Sequence, residues 1–86
     1  MKIGESLDYD EQGDTLYVGL LDVSVAKTEP LDDHRLVDYG ADGSVIGVEF
    51  IDVSGGIDAD LHQLGPSGLE ITKLIGQARG RLEIFV

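Results

Sequence analysis

Oxygen-bearing side chains at alternate positions mark the stretch DYDEQGD, residues 8–14, as a candidate calcium loop. Asp8 and Asp10 have the spacing of the early ligands of an EF-hand loop, and Gly13 would allow the bend. The bidentate acid that completes such a loop would fall on Gly19, which has no side chain. A β-hairpin turn explains the same residues, because Asp and Gly favour tight turns. We therefore interpret the stretch as a turn and assign no metal site to it.

Two histidines lie among acidic residues, in DDH at 32–34 and in DADLH at 58–62. Each segment could bring carboxylates and an imidazole to one ion or ligand, although neither spacing matches a recognised zinc motif. Either histidine could also be the general base of a hydrolase, but no activated nucleophile lies nearby in the sequence. We assign no catalytic, cofactor-binding or metal residue and no cofactor. A metal- or small-ligand-binding module using the loop carboxylates and His34 or His62 is the alternative.

The charge of the chain constrains its partners. Seventeen acidic residues against six basic ones give a formal net charge of −11. Such a field repels phosphate backbones, and the basic residues are dispersed, so we expect no direct nucleic-acid binding. A basic protein partner is electrostatically favoured, but solubility alone or a saline environment would also explain the charge.

The compartment is constrained by what the sequence lacks. It contains no cysteine, which excludes disulfides and thiolate metal sites. It has no apolar run of membrane-spanning length, and its first residues lack the apolar core of a signal peptide. We expect a cytoplasmic protein without membrane contact.

The stretch at residues 8–24 recurs without a gap at residues 38–54, and both copies end in Asp-Val-Ser. In each copy a glycine-containing turn precedes a segment in which apolar residues alternate, as in a half-buried strand. The alternating residues are Leu16, Val18 and Leu20 in the first copy, and Ile46, Val48 and Phe50 in the second. We predict one domain over residues 1–86 that contains two β-hairpins, at about 2–24 and 35–54.

The other segments complete an α+β fold. The acidic linker at 26–34 contains Pro30 and is predicted to be an exposed loop, and residues 55–66 form a second loop. Ser67 and Glu70 form a capping box before a helix at about 68–79, with Gly80 as its C-terminal cap. Residues 81–86 alternate and predict a short final strand. The predicted fold is a small antiparallel sheet of two hairpins, with the C-terminal helix packed on one face.

One short helix can cover only one face of such a sheet. The residues predicted to lie on the second face are Tyr17, Leu21, Val37, Tyr39, Val45 and Ile51. An exposed apolar face of this size is typical of an interaction surface. We therefore expect a homo-oligomer assembled through the second sheet face.

With the repeat interpreted as strands, a set of residues spread over positions 6–54 forms a pattern: YD at 9–10, Asp14, LYV at 16–18, Leu20, Glu29, VDY at 37–39, Gly43, Val45, GVE at 47–49 and DVS at 52–54. On these residues the stretch resembles domain-of-unknown-function family 2283. The sequence departs from the family pattern at Gly40, where an acidic residue is usual, and at His34, where glycine is frequent. The resemblance implies a small bacterial or archaeal protein with an antiparallel sheet and a packed helix. It implies no established activity and no catalytic residues.

Taken together, the residues and the resemblance predict a non-catalytic interaction protein that is not an enzyme. Some members of the family resemble partners of small toxin-like proteins, which suggests an antitoxin-like partner of a small basic protein. The strong negative charge and the predicted second sheet face agree with that role.

Overall fold

A five-stranded antiparallel sheet and one helix make up the computed structural model of the protein, which describes residues 3–57 and 60–82, with side chains for 5–57 and 60–77. The strands and the helix are β1 (Ile3–Asp10), β2 (Thr15–Leu21), β3 (Lys27–Asp32), β4 (Arg35–Tyr39), β5 (Val45–Ile51) and α1 (Pro66–Leu82). Two short 3-10 turns, at Val53–Gly55 and His62–Leu64, lie between β5 and α1. The predicted α+β class is confirmed.

The strand order β1-β2-β5-β4-β3 places the two copies of the repeat side by side. Strands β1 and β2 form the first hairpin and β4 and β5 form the second, as the sequence predicts. The hairpins join through β2 and β5, where Val18 pairs with Val48. These two valines are also equivalent positions of the repeat, so an approximate two-fold axis passes between them.

The hydrophobic core lies between the helix and one face of the sheet. All six alternating apolar residues of β2 and β5 are buried, as predicted. All of them except Ile46 form one cluster with Ile71 and Ile75 of α1, together with Val53 and Leu61 from the connection after β5. Burying an aliphatic side chain of this size stabilises a fold by about 1.5–3 kcal/mol. Docking on the sheet can therefore sustain a helix that contains several glycines.

The linker predicted as a loop at 26–34 contains a strand instead. Strand β3 pairs with β4 and forms the edge of the sheet. Pro30 and the charged residues of β3 made the segment resemble a loop, but an edge strand tolerates both, because one side of it faces solvent. The prediction was wrong because edge strands carry little apolar alternation.

The helix is longer than predicted at both ends. It begins at Pro66, so Ser67 lies in its first turn and is not the N-cap of a capping box. Proline is favoured at a first helical position because its missing N–H has no helical acceptor there. The helix continues through Gly80 to Leu82, so Gly80 is no C-terminal cap and residues 81–82 are not strand. The rest of the predicted strand, residues 83–86, lies outside the described residues.

Within residues 3–57 and 60–82, no helix has the length and apolarity needed to cross a bilayer. The longest, α1, has 17 residues and alternates buried with exposed positions.

The sheet face opposite the helix, hereafter the open face, differs from the predicted second face. Val37 is 1 % exposed and belongs to the core on the helix side, where it pairs with Val48. Tyr39, two residues further along β4, packs against the same core. Cross-strand register gives the open face its members: Ser6, Asp8, Asp10, Thr15, Tyr17, Gly19, Gly47, Glu49, Ile51, Leu36, Asp38, Thr28 and Pro30. It is therefore a mixed acidic and apolar surface.

Candidate functional site

The turn between β3 and β4 is organised by an arginine–carboxylate pair. Arg35 is only 6 % exposed, and its Nε and Nη2 donate hydrogen bonds to Oδ2 of Asp32 at 2.9 and 2.6 Å. The backbone N–H of His34 donates to Oδ1 of the same carboxylate at 2.9 Å. These bonds, the arginine first, lower the pKa of Asp32 below its usual value. Both carboxylate oxygens are thereby engaged within the turn.

His34 extends from this turn toward the end of β5. Its Nε2 lies 3.7 Å from Oδ2 of Asp52, and both side chains are more than half exposed. The backbone of Asp52 is left-handed, with φ 58°, a conformation that Asp tolerates better than most residues. The contact is a loose ion pair that exists only when the imidazole is protonated. It leaves imidazole and carboxylate open to a ligand.

A cavity of about 320 Å³ lies beside His34 and Asp52. The residues that line it include Arg35 and the apolar Ile51 and Ile57. A small polar molecule, or a basic side chain with an aliphatic stem, would match this mixture of groups. Across the described parts of the chain, no three His, Asp or Glu side chains converge as a metal site would require.

The second predicted histidine forms a separate pair. His62 Nδ1 lies 2.8 Å from Oδ1 of Asp60, and this contact with the imidazole lowers the pKa of Asp60. The Asp60 carbonyl accepts a hydrogen bond from Arg35 Nη1, which ties the loop before α1 to strand β4. Asp58, the third predicted member of this group, lies outside the described residues.

The candidate calcium loop at residues 8–14 contains the turn of the first hairpin. Oδ1 of Asp10 accepts hydrogen bonds from the backbone N–H groups of Gln12 and Gly13, at 3.1 and 3.2 Å. Asp8 lies within β1, away from this turn. In the second copy, Asp42 accepts from the Ser44 N–H in the same way, at 3.0 Å. The interpretation as hairpin turns is confirmed.

Asp14 fixes the chain that follows β5. Its carboxylate accepts hydrogen bonds from the backbone N–H and the Oγ of Ser54, at 2.9 and 2.7 Å. Val53 is thereby held in the core with no exposed surface, whereas the equivalent Val23 of the first copy is 38 % exposed. These two bonds between Asp14 and Ser54 are hereafter called the clamp. Asp14 is replaced by Ser44 in the second copy, so the clamp occurs at only one end of the β2–β5 pair.

The open face carries a polar network that the sequence pattern does not predict. Tyr17 lies over Gly47 and reaches Asp38 across the intervening strand β5. The Oγ of Thr28 donates to the same carboxylate at 2.5 Å. Burial, and then the hydrogen bond with Asp38, raise the pKa of the Tyr17 phenol above its usual value. A glycine within a predicted strand is the signal that could have indicated such a close approach.

Two backbone amides in the first turn of α1 are engaged within the chain. The N–H groups of Gly68 and Leu69 both donate to the carbonyl of Gly65, at 3.0 and 3.3 Å. Pro66 has no N–H to contribute. These two amides therefore donate within the chain at the start of the helix.

Comparison with known proteins identifies a family. No curated protein and no solved structure matches the chain. The model of the family described as protein of unknown function (DUF2283) matches residues 6–54, which is more than half of the chain. The match covers β2 to β5 entirely and most of β1, and it ends at Ser54, which is bonded to Asp14 just before β2. The chain therefore belongs to the DUF2283 family.

Proposed function

We propose that the protein is a non-catalytic interaction protein whose open face binds a basic protein partner. One observation carries this proposal: the open face bears the carboxylates of Asp8, Asp10, Asp38 and Glu49 among half-buried apolar side chains. Fixed charges of one sign steer and select a partner of the opposite sign, while the apolar residues supply contact area.

The basic side chains of the sheet do not offset this charge. Lys27 is paired with Glu29 at 2.8 Å, and its ammonium group lies 5.4 Å from the centre of the Tyr39 ring. Arg35 is buried against Asp32. Both cations are thus engaged on the helix side or at the edge. A small basic protein, neutralised in the manner of a toxin by an antitoxin, fits this surface.

The direct test is an affinity capture from the native organism, followed by binding of the purified candidate at low and high salt. We expect a basic partner that salt releases and that binds the double variant Asp8→Asn/Glu49→Gln at least about tenfold more weakly. The control is Asp33→Asn/Glu70→Gln, which removes the same charge from exposed positions of a turn and of the helix. Equal affinity of the two double variants would contradict the proposal.

Self-association through the open face stays a prediction. Face-to-face packing of two copies would bring carboxylates against carboxylates, which opposes assembly at low salt. If a homo-oligomer forms there, its dissociation constant should fall as salt rises, because salt screens the repulsion. Sedimentation velocity at two ionic strengths measures this. An assembly that salt weakens would have to use another surface.

The cavity beside His34 favours a second candidate function, the binding of a small ligand. Its mixture of apolar, basic and acidic lining residues supports this alternative over a metal site. Screening a fragment library by NMR should then give shifts at His34, Asp52 and Ile57. His34→Ala should abolish binding of any hit, and His62→Ala should not. Shifts scattered over the surface would contradict it.

A further inference from the structure

The two edge strands of the sheet differ in their protection against pairing with another strand. β3 contains Pro30, which has no N–H to donate, and its register with β4 is irregular between Pro30 and Asp32. Lys27 and Glu29 place charges at exposed positions of the same strand. Proline, charges and bulges are the features by which natural sheets block their edges. The β3 edge is therefore poorly suited to accept a strand.

The edge of strand β1 has less of this protection. Its register shift lies at the start of the strand, between Ile3 and Ser6, and its exposed charged residues are all acidic. Over residues 5–10 it contains neither proline nor a basic residue, and its register with β2 is regular from Ser6 to Asp10. Within the described part of the chain, β1 pairs with β2 alone. Every second residue of such a strand directs its backbone N–H and C=O away from the sheet. These groups form a template for an added strand.

The side chains of β1 define what an added strand should contain. On the open face, Asp8 and Asp10 are exposed carboxylates. On the helix side, Leu7 and Tyr9 are half-buried and pack against the core. Residues that lie opposite each other across two strands interact pairwise, so basic residues complement the first pair and apolar residues complement the second. A strand in which basic and apolar residues alternate satisfies both.

We infer that β1 is the docking edge for an extended segment of the partner in which basic and apolar residues alternate. The inference rests on the proposed function and specifies how the basic partner binds: it adds a strand beside β1. A second copy of β1 would bring carboxylates instead of cations to the same face, so self-pairing gains no charge complementarity.

The probe for this inference is a synthetic peptide of about eight residues, the length of an ordinary strand, with alternating Lys and Val. Binding is measured by calorimetry, and backbone amide exchange by NMR. We expect outward-facing amides of β1 to become protected. A peptide with the same Lys and Val content arranged in two blocks should bind at least about tenfold more weakly, and so should the alternating peptide N-methylated at every second residue.

Two variants of the protein locate the site. Asp8→Lys should weaken binding of the alternating peptide by about tenfold, because it places a like charge beside the added strand. Asp33→Lys makes the same charge change in the exposed β3–β4 turn and should weaken binding less than about threefold. The peptide comparison needs no variant, so it decides the question even if Asp8→Lys does not fold.

The outcomes separate this inference from the proposed function. Equal affinity of the alternating, blocked and N-methylated peptides, with β1 amides still exchanging freely, would overturn docking at β1 and leave a basic partner on the open face intact. If none of the peptides binds even at low salt, the edge and the acidic surface both fail as binding sites. Protection of β3 amides in place of β1 amides would overturn the assignment of the edge.

Discussion

Tyr17 and Gly47 occupy equivalent positions in the two copies of the repeat, and the ring of the first lies over the backbone of the second. A β-carbon at Gly47 would come within 2.3 Å of the phenol oxygen and 2.8 Å of the Val18 carbonyl. A side chain at position 47 would therefore collide with the ring that reaches Asp38. The near-symmetry of the hairpins is broken at this pair so that the Tyr17–Asp38–Thr28 network can form.

Gly47→Ala should consequently displace Tyr17 and lower the free energy of unfolding by about 1–3 kcal/mol, the usual cost of overpacking. Gly55→Ala is the matched control, because nothing lies within 4 Å of the added carbon. Urea unfolding measures both variants, and NMR of Thr28 and Asp38 reports on the network. A stable Gly47→Ala protein with an unchanged network would refute the close approach.

Asp14→Ala should destabilise the protein by about 2 kcal/mol, because it removes two hydrogen bonds to Ser54 and places alanine at φ 55°. Asp14→Asn is the control. It keeps a hydrogen-bond acceptor and tolerates the left-handed conformation, so its free energy of unfolding should fall by less than that of Asp14→Ala. Unfolding by urea gives the free energies, and amide exchange should show Val53 released first. Equal losses in the two variants would argue against the clamp.

Asp32→Asn should lower the free energy of unfolding at pH 7 by about 1–2 kcal/mol, since buried Arg35 loses its charged acceptor. We expect the lower part of the usual range because 42 % of the Asp32 side chain is exposed. Glu29→Gln is the control in an exposed ion pair, where we expect less than about 0.5 kcal/mol.

The pH dependence of the Asp32 contribution follows from the sign of its pKa shift. The folded pKa lies below the unfolded value, which is near 3.8. The stabilisation is therefore fully present above that value and is lost as the pH falls through the folded pKa. Urea midpoints of the wild type and Asp32→Asn should converge at low pH. A difference that persists at pH values below both pKa values would contradict this account.

The helix offers a pair of glycine substitutions with opposite expected signs. At Gly76 an added carbon meets nothing within 4 Å, so Gly76→Ala should stabilise the protein by about 0.5–1 kcal/mol through helix propensity. At Gly68 it would lie 2.1 Å from the Leu61 carbonyl oxygen, so Gly68→Ala should destabilise it despite the same propensity gain. Thermal unfolding of the two variants compares them. Similar shifts in both would show that the helix does not pack closely on Leu61.

The hairpins could be predicted because their signals are local. Alternation in β2 and β5 and the turn residues around Gly13 and Gly43 lie within a few positions of each other, and tertiary contacts reinforce them. Edge strand β3 could not be predicted in the same way, because its pairing with β4 satisfies its backbone while its side chains stay exposed. The start of the helix was misplaced because proline is favoured at a first helical position, which Pro66 occupies ahead of Ser67. The glycine at position 80 did not end the helix, which continues to Leu82.

The candidate sites depended on register and could be predicted only in part. DDH at 32–34 was identified as a cluster, but Asp52 joins His34 only because β5 ends beside the β3–β4 turn. Tyr17 was placed correctly on the face away from the helix, yet its contact with Asp38 requires Gly47 between them. Val37 was assigned to the wrong face, because the sequence does not fix how β4 aligns with β5.

The pairing of Val18 with its own counterpart Val48 bears on the origin of the sheet. A lone hairpin is at best marginally stable in water, but two identical hairpins that meet about a two-fold axis can share a core. Duplication and fusion of a gene for such a hairpin would produce this order of strands. The two paired valines would then descend from one position of the ancestral hairpin. Once both halves lie in one chain, they can diverge independently, as Tyr17 and Gly47 have done.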